Sequence, residues 1–258
     1  MTTRTFAEIV CIGALCALSA PVGAQAPALD VRARLDVARW PAARASYAGV
    51  AWQGAMQAVG LELLSVDARP VAEGGALLRF AANGRLQWLV RLAVAPDAGA
   101  ARTALLRWAQ PVQGALVRDD ASIAIADVVL TDDRGGRGRA GLVAGNVAVW
   151  VAAAEPGSDG ALAVLRALAD HIALRGPRAV APRLTERAQR GTDADVRVVT
   201  VVAAPAAIVE TTVEGGHVGR VDGTARVIAI ADRRVGARVR ATALDPLGRV
   251  SEAEIALR

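Results

Sequence analysis

Residues 131–151 read TDDRGGRGRAGLVAGNVAVWV. Gly136, Gly138 and Gly141 stand at the G-x-G-x-x-G spacing of a dinucleotide-binding fingerprint, and Arg134-Gly135-Gly136 opens an RGG-like run. The flanks decide between these readings. A dinucleotide fingerprint needs a strand before the glycines and a helix after them, whose free N–H groups hold the pyrophosphate. A strand-like run, IADVVL, does precede them. The run on their C-terminal side, LVAGNVAVWVAAA, is Val-rich and alternating, which predicts a strand over 142–153 and not a helix. Nucleic-acid-binding RGG tails are long and repeated, whereas here one short run lies between two strands. Residues 131–140 are therefore expected to be a hairpin loop. Glycine supplies positive φ there, and Asp132, Asp133, Arg134, Arg137 and Arg139 keep it solvated. The functional alternative is a ligand-binding loop whose three guanidiniums clasp a carboxylate or phosphate.

Working back toward the N-terminus, residues 29–37 (LDVRARLDV) alternate apolar and charged, the period of a half-exposed strand. Pro41 suits a first helical turn. Trp52, Ala55, Met56 and Val59 fall on one helical face, with Gly60 placed as a C-terminal cap. Strands are predicted over 61–68, 76–81 and 86–94, the last two joined by Asn83-Gly84, the preferred pair for a tight hairpin turn. Asp97 is a candidate N-cap for a helix burying Ala101, Ala104, Leu105 and Trp108.

A strand over 123–130 comes next, then the 142–153 strand and a helix from about Asp159, burying Leu162, Leu165, Ala169 and Ile172 and ended by Gly176-Pro177. Residues from Val90 and from Val147 each run strand, Pro-containing turn, Ala/Leu/Arg helix. That pattern suggests internal duplication in an α+β domain, an antiparallel sheet with helices on one face.

Residues 177–195 carry prolines and charges with little periodicity and read as a linker. Beyond them, short Val-rich segments at 196–203, 208–213, 218–221, 225–231, 235–243 and 250–257 predict an all-β module over 196–258. Its end, VRATALDPLGRVSEAEIAL, has an A-x-D-x-x-G-R cadence before the final strand. On those residues the module resembles bacterial immunoglobulin-like domains. The resemblance implies a Greek-key sandwich used as a spacer or interaction module, and no catalytic residue. In the first domain, GNVAVWVAAA followed by an Ala-rich helix resembles the last strand and helix of the extracellular sensor domains of some actinobacterial serine/threonine kinases and of related exported lipoproteins.

The N-terminus has one Arg, an apolar run at 9–20, Pro21 and small residues including Ala24-Gln25-Ala26. It reads as a secretory signal peptide over 1–24. The α+β domain then spans 25–176. Both cysteines, Cys11 and Cys16, lie in the signal, so the mature chain has none. No later apolar run is long enough to span a bilayer.

The formal charge is +5, and all 30 basic residues are Arg. They are spread along the chain, not clustered as nucleic-acid binding requires. The absence of Lys removes the P-loop lysine, Schiff-base chemistry and the S-x-x-K nucleophile. The absence of mature Cys removes thiol catalysis and cysteine-ligated metals. His171 and His217 fall in different predicted domains, so a shared zinc site is not expected. Trp40, Trp52, Trp88, Trp108 and Trp150 read as core anchors.

The expectation is an exported, periplasmic or extracellular, non-enzymatic envelope protein. It would bind a small ligand or an envelope protein, with no cofactor and no metal. The alternatives are a secreted hydrolase with a cryptic carboxylate or serine site in the first domain, and an Arg-based binder of anionic polymers.

Overall fold

The computed structural model describes residues 31–119, 121–155, 158–179, 181–188, 196–202, 208–213, 227–232 and 238–256. The expected signal peptide, the 218–221 strand, His217 and much of the 177–195 linker lie outside the described residues. In chain order the elements begin with α1 (Val31–Arg34), β1 (Gly49–Val50), α2 (Trp52–Ala58), β2 (Glu62–Ala68), β3 (Ala76–Ala82), β4 (Arg85–Val94) and α3 (Ala98–Ala109). Then come β5 (Leu116–Arg118), β6 (Val128–Asp132), β7 (Arg139–Ala144), β8 (Val147–Ala153), α4 (Ala161–Asp170) and β9 (Ile172–Ala173). The C-terminal strands are β10 (Arg183–Ala188), β11 (Val196–Val202), β12 (Ile208–Val213), β13 (Val227–Asp232), β14 (Arg238–Leu244) and β15 (Val250–Ala256).

Local signals act as their chemistry dictates. Asn83 and Gly84 both take positive φ, 52° and 74°, and turn β3 into β4. Asp97 accepts a hydrogen bond from the Ala100 amide at 2.8 Å, capping α3. After α2 the Gly60 amide reaches Gln57 O and the Leu61 amide reaches Met56 O. That bond pair, with Gly60 at φ 70°, is a Schellman motif.

The main sheet is antiparallel throughout, in the order β2-β3-β4-β8-β7-β6-β5. It contains two three-stranded meanders, β2-β3-β4 and β6-β7-β8, each followed by a helix. The strand–helix order thus occurs twice, but the helices do not share a face. Ala101, Ala104, Leu105 and Trp108 of α3 pack on one side with Ala148 and Trp150. Leu165, Leu168 and Ala169 of α4 join α2 on the other side with Val147, Val149 and Val151. The cause is occupancy. α3 already covers β4, β7 and β8, so only the opposite face of β7 and β8 remains for α4. All five tryptophans are buried.

Several sequence expectations are corrected. The alternating 29–37 segment is not a strand where it is described. It forms α1 and a 3-10 turn, because Asp36 takes left-handed φ (48°) while Leu35 and Trp40 turn onto the α3 side. Residues 41–48, expected to open a helix at Pro41, are irregular, and α2 starts at Trp52. The 123–130 strand starts only at Val128. The single strand expected over 142–153 is two, folded back at Gly145-Asn146 with Gly145 at φ 54°. Gly-Asn in that order suits a type II′ hairpin. The last helix ends at Asp170, not at Gly176-Pro177, and Ile172 lies in β9. Within 177–195, residues 183–188 form β10, paired with β11.

The C-terminal strands form two antiparallel three-stranded sheets, β10-β11-β13 and β12-β14-β15, with β12 against β13 and β10 against β15 between them. The β14–β15 turn also meets the rest of the chain. Trp52 Nε1 donates to Asp245 O at 3.1 Å, and the Val50 amide donates to Leu247 O at 2.8 Å.

Candidate functional site

The Asp- and Arg-bearing loop singled out in the sequence connects β6 to β7. Thr131 and Asp132 belong to β6, Arg139 and Ala140 to β7. Asp133, Arg134, Arg137 and Arg139 are exposed as expected, but Asp132 is buried. Its carboxylate accepts four backbone N–H bonds. Gly136 (2.8 Å) and Arg137 (3.2 Å) donate to Oδ1, and Gly138 (2.9 Å) and Arg139 (3.0 Å) donate to Oδ2. Burial alone would raise its pKa. The four N–H donors outweigh that and hold the carboxyl below its ordinary value.

The loop wound around Asp132 in turn caps a helix. The first amides of α4 have no partner within the helix. Gly160 and Ala161 donate to Arg137 O, both at 2.9 Å, and Leu162 donates to Gly136 O at 2.8 Å. Asp159, where this helix was expected to begin, instead pairs with Arg137 at 3.6 Å, and the N-cap position is Gly160. The signal for this device is an Asp at a strand end followed within six residues by three glycines, which free the backbone to converge on one carboxylate.

A cleft of about 470 Å³ lies beside the loop. Its lining carries Asp132, Asp133, Glu155 and Asp159 against Arg134, Arg137 and Arg139, four carboxylates to three guanidiniums. The loop's arginines therefore do not stand in a positive field.

A second concavity, of about 770 Å³, lies along α3. Ala100, Thr103, Ala104 and Arg107, spaced i, i+3, i+4 and i+7, form one wall. Val71 and Ala72 stand among the other lining residues, with Val94 and Ala95 from the end of β4, and Arg249 and Val250 from beyond the β14–β15 turn. Asn146 also lines it. Its Oδ1 accepts the Tyr47 amide at 2.6 Å and the Ser46 hydroxyl at 3.3 Å. Its Nδ2 donates to Tyr47 O and Ala95 O at 3.1 and 3.2 Å. Tyr47 is a lining residue too. Burial first, and Asp127 second, push its phenol above the ordinary value against the opposing Arg44, so it is protonated at neutral pH. No sequence feature marked this groove.

For the hydrolase alternative, Asp132 is saturated by N–H donors and cannot serve as a protonated acid. Ser158 precedes α4 and His171 follows it, at opposite ends of a ten-residue helix about 15 Å long. His171 Nδ1 lies 2.9 Å from Ala167 O in its own helix. Among the described residues no three His, Cys, Asp or Glu side chains cluster as metal ligands, and no helix is long and apolar enough to cross a membrane. No family model, no curated protein and no solved structure matches this chain.

Proposed function

We propose that the chain is an exported, non-enzymatic binding module of the cell envelope, with its small-ligand site in the α3 groove. The observation that carries this reading is the groove itself. At about 770 Å³ it falls within the roughly 300–1,000 Å³ of small-molecule sites. Its lining is mainly small and apolar, with a few polar side chains among it. In this reading residues 1–24 direct export and the 25–176 domain supplies most of the site. The C-terminal module is an immunoglobulin-like sandwich that closes one end of the groove and presents it. Support for the sandwich is the interleaving of its sheets. Among the described residues β11 and β13, joined by β10 from the preceding segment, make one sheet and β12, β14 and β15 the other, as the A-B-E and C-F-G strands alternate between sheets in that fold.

Thermal unfolding with a panel of small anionic metabolites, amphiphiles, sugars, calcium and polyanions tests the reading. A ligand at a hundred times its Kd that binds only the folded chain adds roughly 2.7 kcal/mol. A selective rise in midpoint that Thr103→Phe abolishes is the expected result. No rise from any member overturns the small-ligand reading in favour of protein docking.

A further inference from the structure

We propose that the α3 groove takes an amphipathic monocarboxylate, an apolar chain ending in one carboxylate held by Arg107. This rests on the groove being the binding site. The argument starts from what the lining lacks. Among the described residues it contains no Asp and no Glu, and the charged ones there are Arg107 and Arg249. Arg249 is already neutralised. Its Nε lies 2.6 Å and its Nη2 2.5 Å from Asp245 Oδ2, and its Nη1 donates to Pro177 O. Arg107 stands differently. Its Nη1 donates to Ala72 O at 2.8 Å, and among the described residues no carboxylate pairs with it. A guanidinium has five N–H donors, so a planar carboxylate can still be received in bidentate fashion. The groove therefore carries one uncompensated positive charge.

The remaining polar groups narrow the ligand further. The Thr103 hydroxyl is turned back onto Gly99 O at 2.9 Å. The Asn146 amide spends both ends on Ser46, Tyr47 and Ala95. A sugar would bring many hydroxyls to a surface with few free partners, and each one left unpaired on burial opposes binding. A polyanion would bring several charges to one guanidinium. One anionic head on an apolar body fits what is present: Ala100, Ala104, Val71, Ala72, Val94 and Val250 for the chain, Arg107 for the head. The lining is concave and drawn from several separate segments, so the occupant is a free acid taken from solution and not a lipid in a bilayer.

The test is calorimetric titration of the chain with decanoate below its micellar concentration, alongside decanol and phosphatidylglycerol vesicles. Decanoate is expected to bind, and decanol roughly ten- to hundredfold more weakly, the value of one charge-assisted hydrogen-bond pair. Arg107→Gln should abolish the preference for decanoate, Arg107→Lys should restore part of it, and Thr103→Phe should remove binding of both. Unfolding midpoints of the variants report that they fold. Equal binding of decanol and decanoate, an unchanged preference in Arg107→Gln, or binding only to vesicles overturns the proposal. If decanoate fails while another panel member raises the midpoint in a Thr103-dependent way, the groove stands as a site and the carboxylate assignment falls. If nothing binds the groove, both readings fall.

Discussion

Gly248 stands directly on Leu92: a Cβ built on Gly248 would collide with Leu92 Cδ2. Leu92 is fully buried in the main sheet, where core side chains are close-packed. Gly248 also sits at φ 75°, in a turn that Asp245 holds by accepting the Leu247 and Arg249 amides, each at 2.9 Å. Gly248→Ala therefore meets two penalties, left-handed backbone and overpacking, together about 2–5 kcal/mol. Urea unfolding should show a lower midpoint at unchanged slope.

Gly84 separates those two penalties. It has the same left-handed backbone, φ 74°, but nothing lies within 4 Å of a Cβ built there. Gly84→Ala should cost only the backbone term, about 1–2 kcal/mol. Equal losses at 84 and 248 in the same urea experiment would show that Leu92 yields to the new methyl group.

Nearest neighbours decide the features that were legible in the sequence. Asn83-Gly84, the Asp97 cap and the Gly60 terminus are complete within a few residues, and each forms as expected. The centre of the sheet was harder because β6, β7 and β8 are covered on both faces. Their residues are almost all buried, so the apolar run of β7 continues into that of β8 with only Gly145-Asn146 between them. That is why the β7–β8 hairpin read as one strand. The alternation at 29–37 misled in the opposite way: charged residues on solvated turns repeat the strand period without a strand to pair with. The face taken by α4 depends on α3 having filled the other. The groove along α3 draws on segments from Tyr47 to Val250, many of them alanine, and leaves no local trace. The Asp132 loop was located correctly, but the inward turn of Asp132 depends on four amides that composition does not reveal.

Asp132 should give the fold an acid-sensitive component. Its folded pKa lies below its unfolded value, because the N–H donors outweigh burial. Its stabilisation is therefore fully present above the unfolded pKa, near 3.9, and is lost as pH falls through the folded value. Asp132→Ala strands four amides and frees the carbonyls that cap α4. A loss of about 2–3 kcal/mol at pH 7 is expected, with a flatter acid limb in stability measured from pH 7 to pH 2. An acid limb identical to that of the unmodified chain would show that the carboxylate does not organise the loop.

Asn146 joins the β7–β8 turn to the segment before β1, and the direction of its bonds makes a sharper prediction. Its oxygen accepts from the Tyr47 amide, while its nitrogen donates to two carbonyls, Tyr47 O and Ala95 O. Asn146→Ala leaves these buried groups unpaired and should cost about 2–4 kcal/mol. Asn146→Asp keeps the shape but points an anionic oxygen at those two carbonyls in a buried site. The charged form is then disfavoured in the fold, so the folded pKa of the introduced carboxyl rises above its unfolded value. The charge penalty grows as pH climbs above about 4 and disappears below it, where the protonated acid donates its one O–H to one of the two carbonyls. Asn146→Asp should be less stable than Asn146→Ala at pH 8 and more stable at the lowest pH where the chain folds. Two stability curves that never cross would show that Nδ2 is not the end facing the carbonyls.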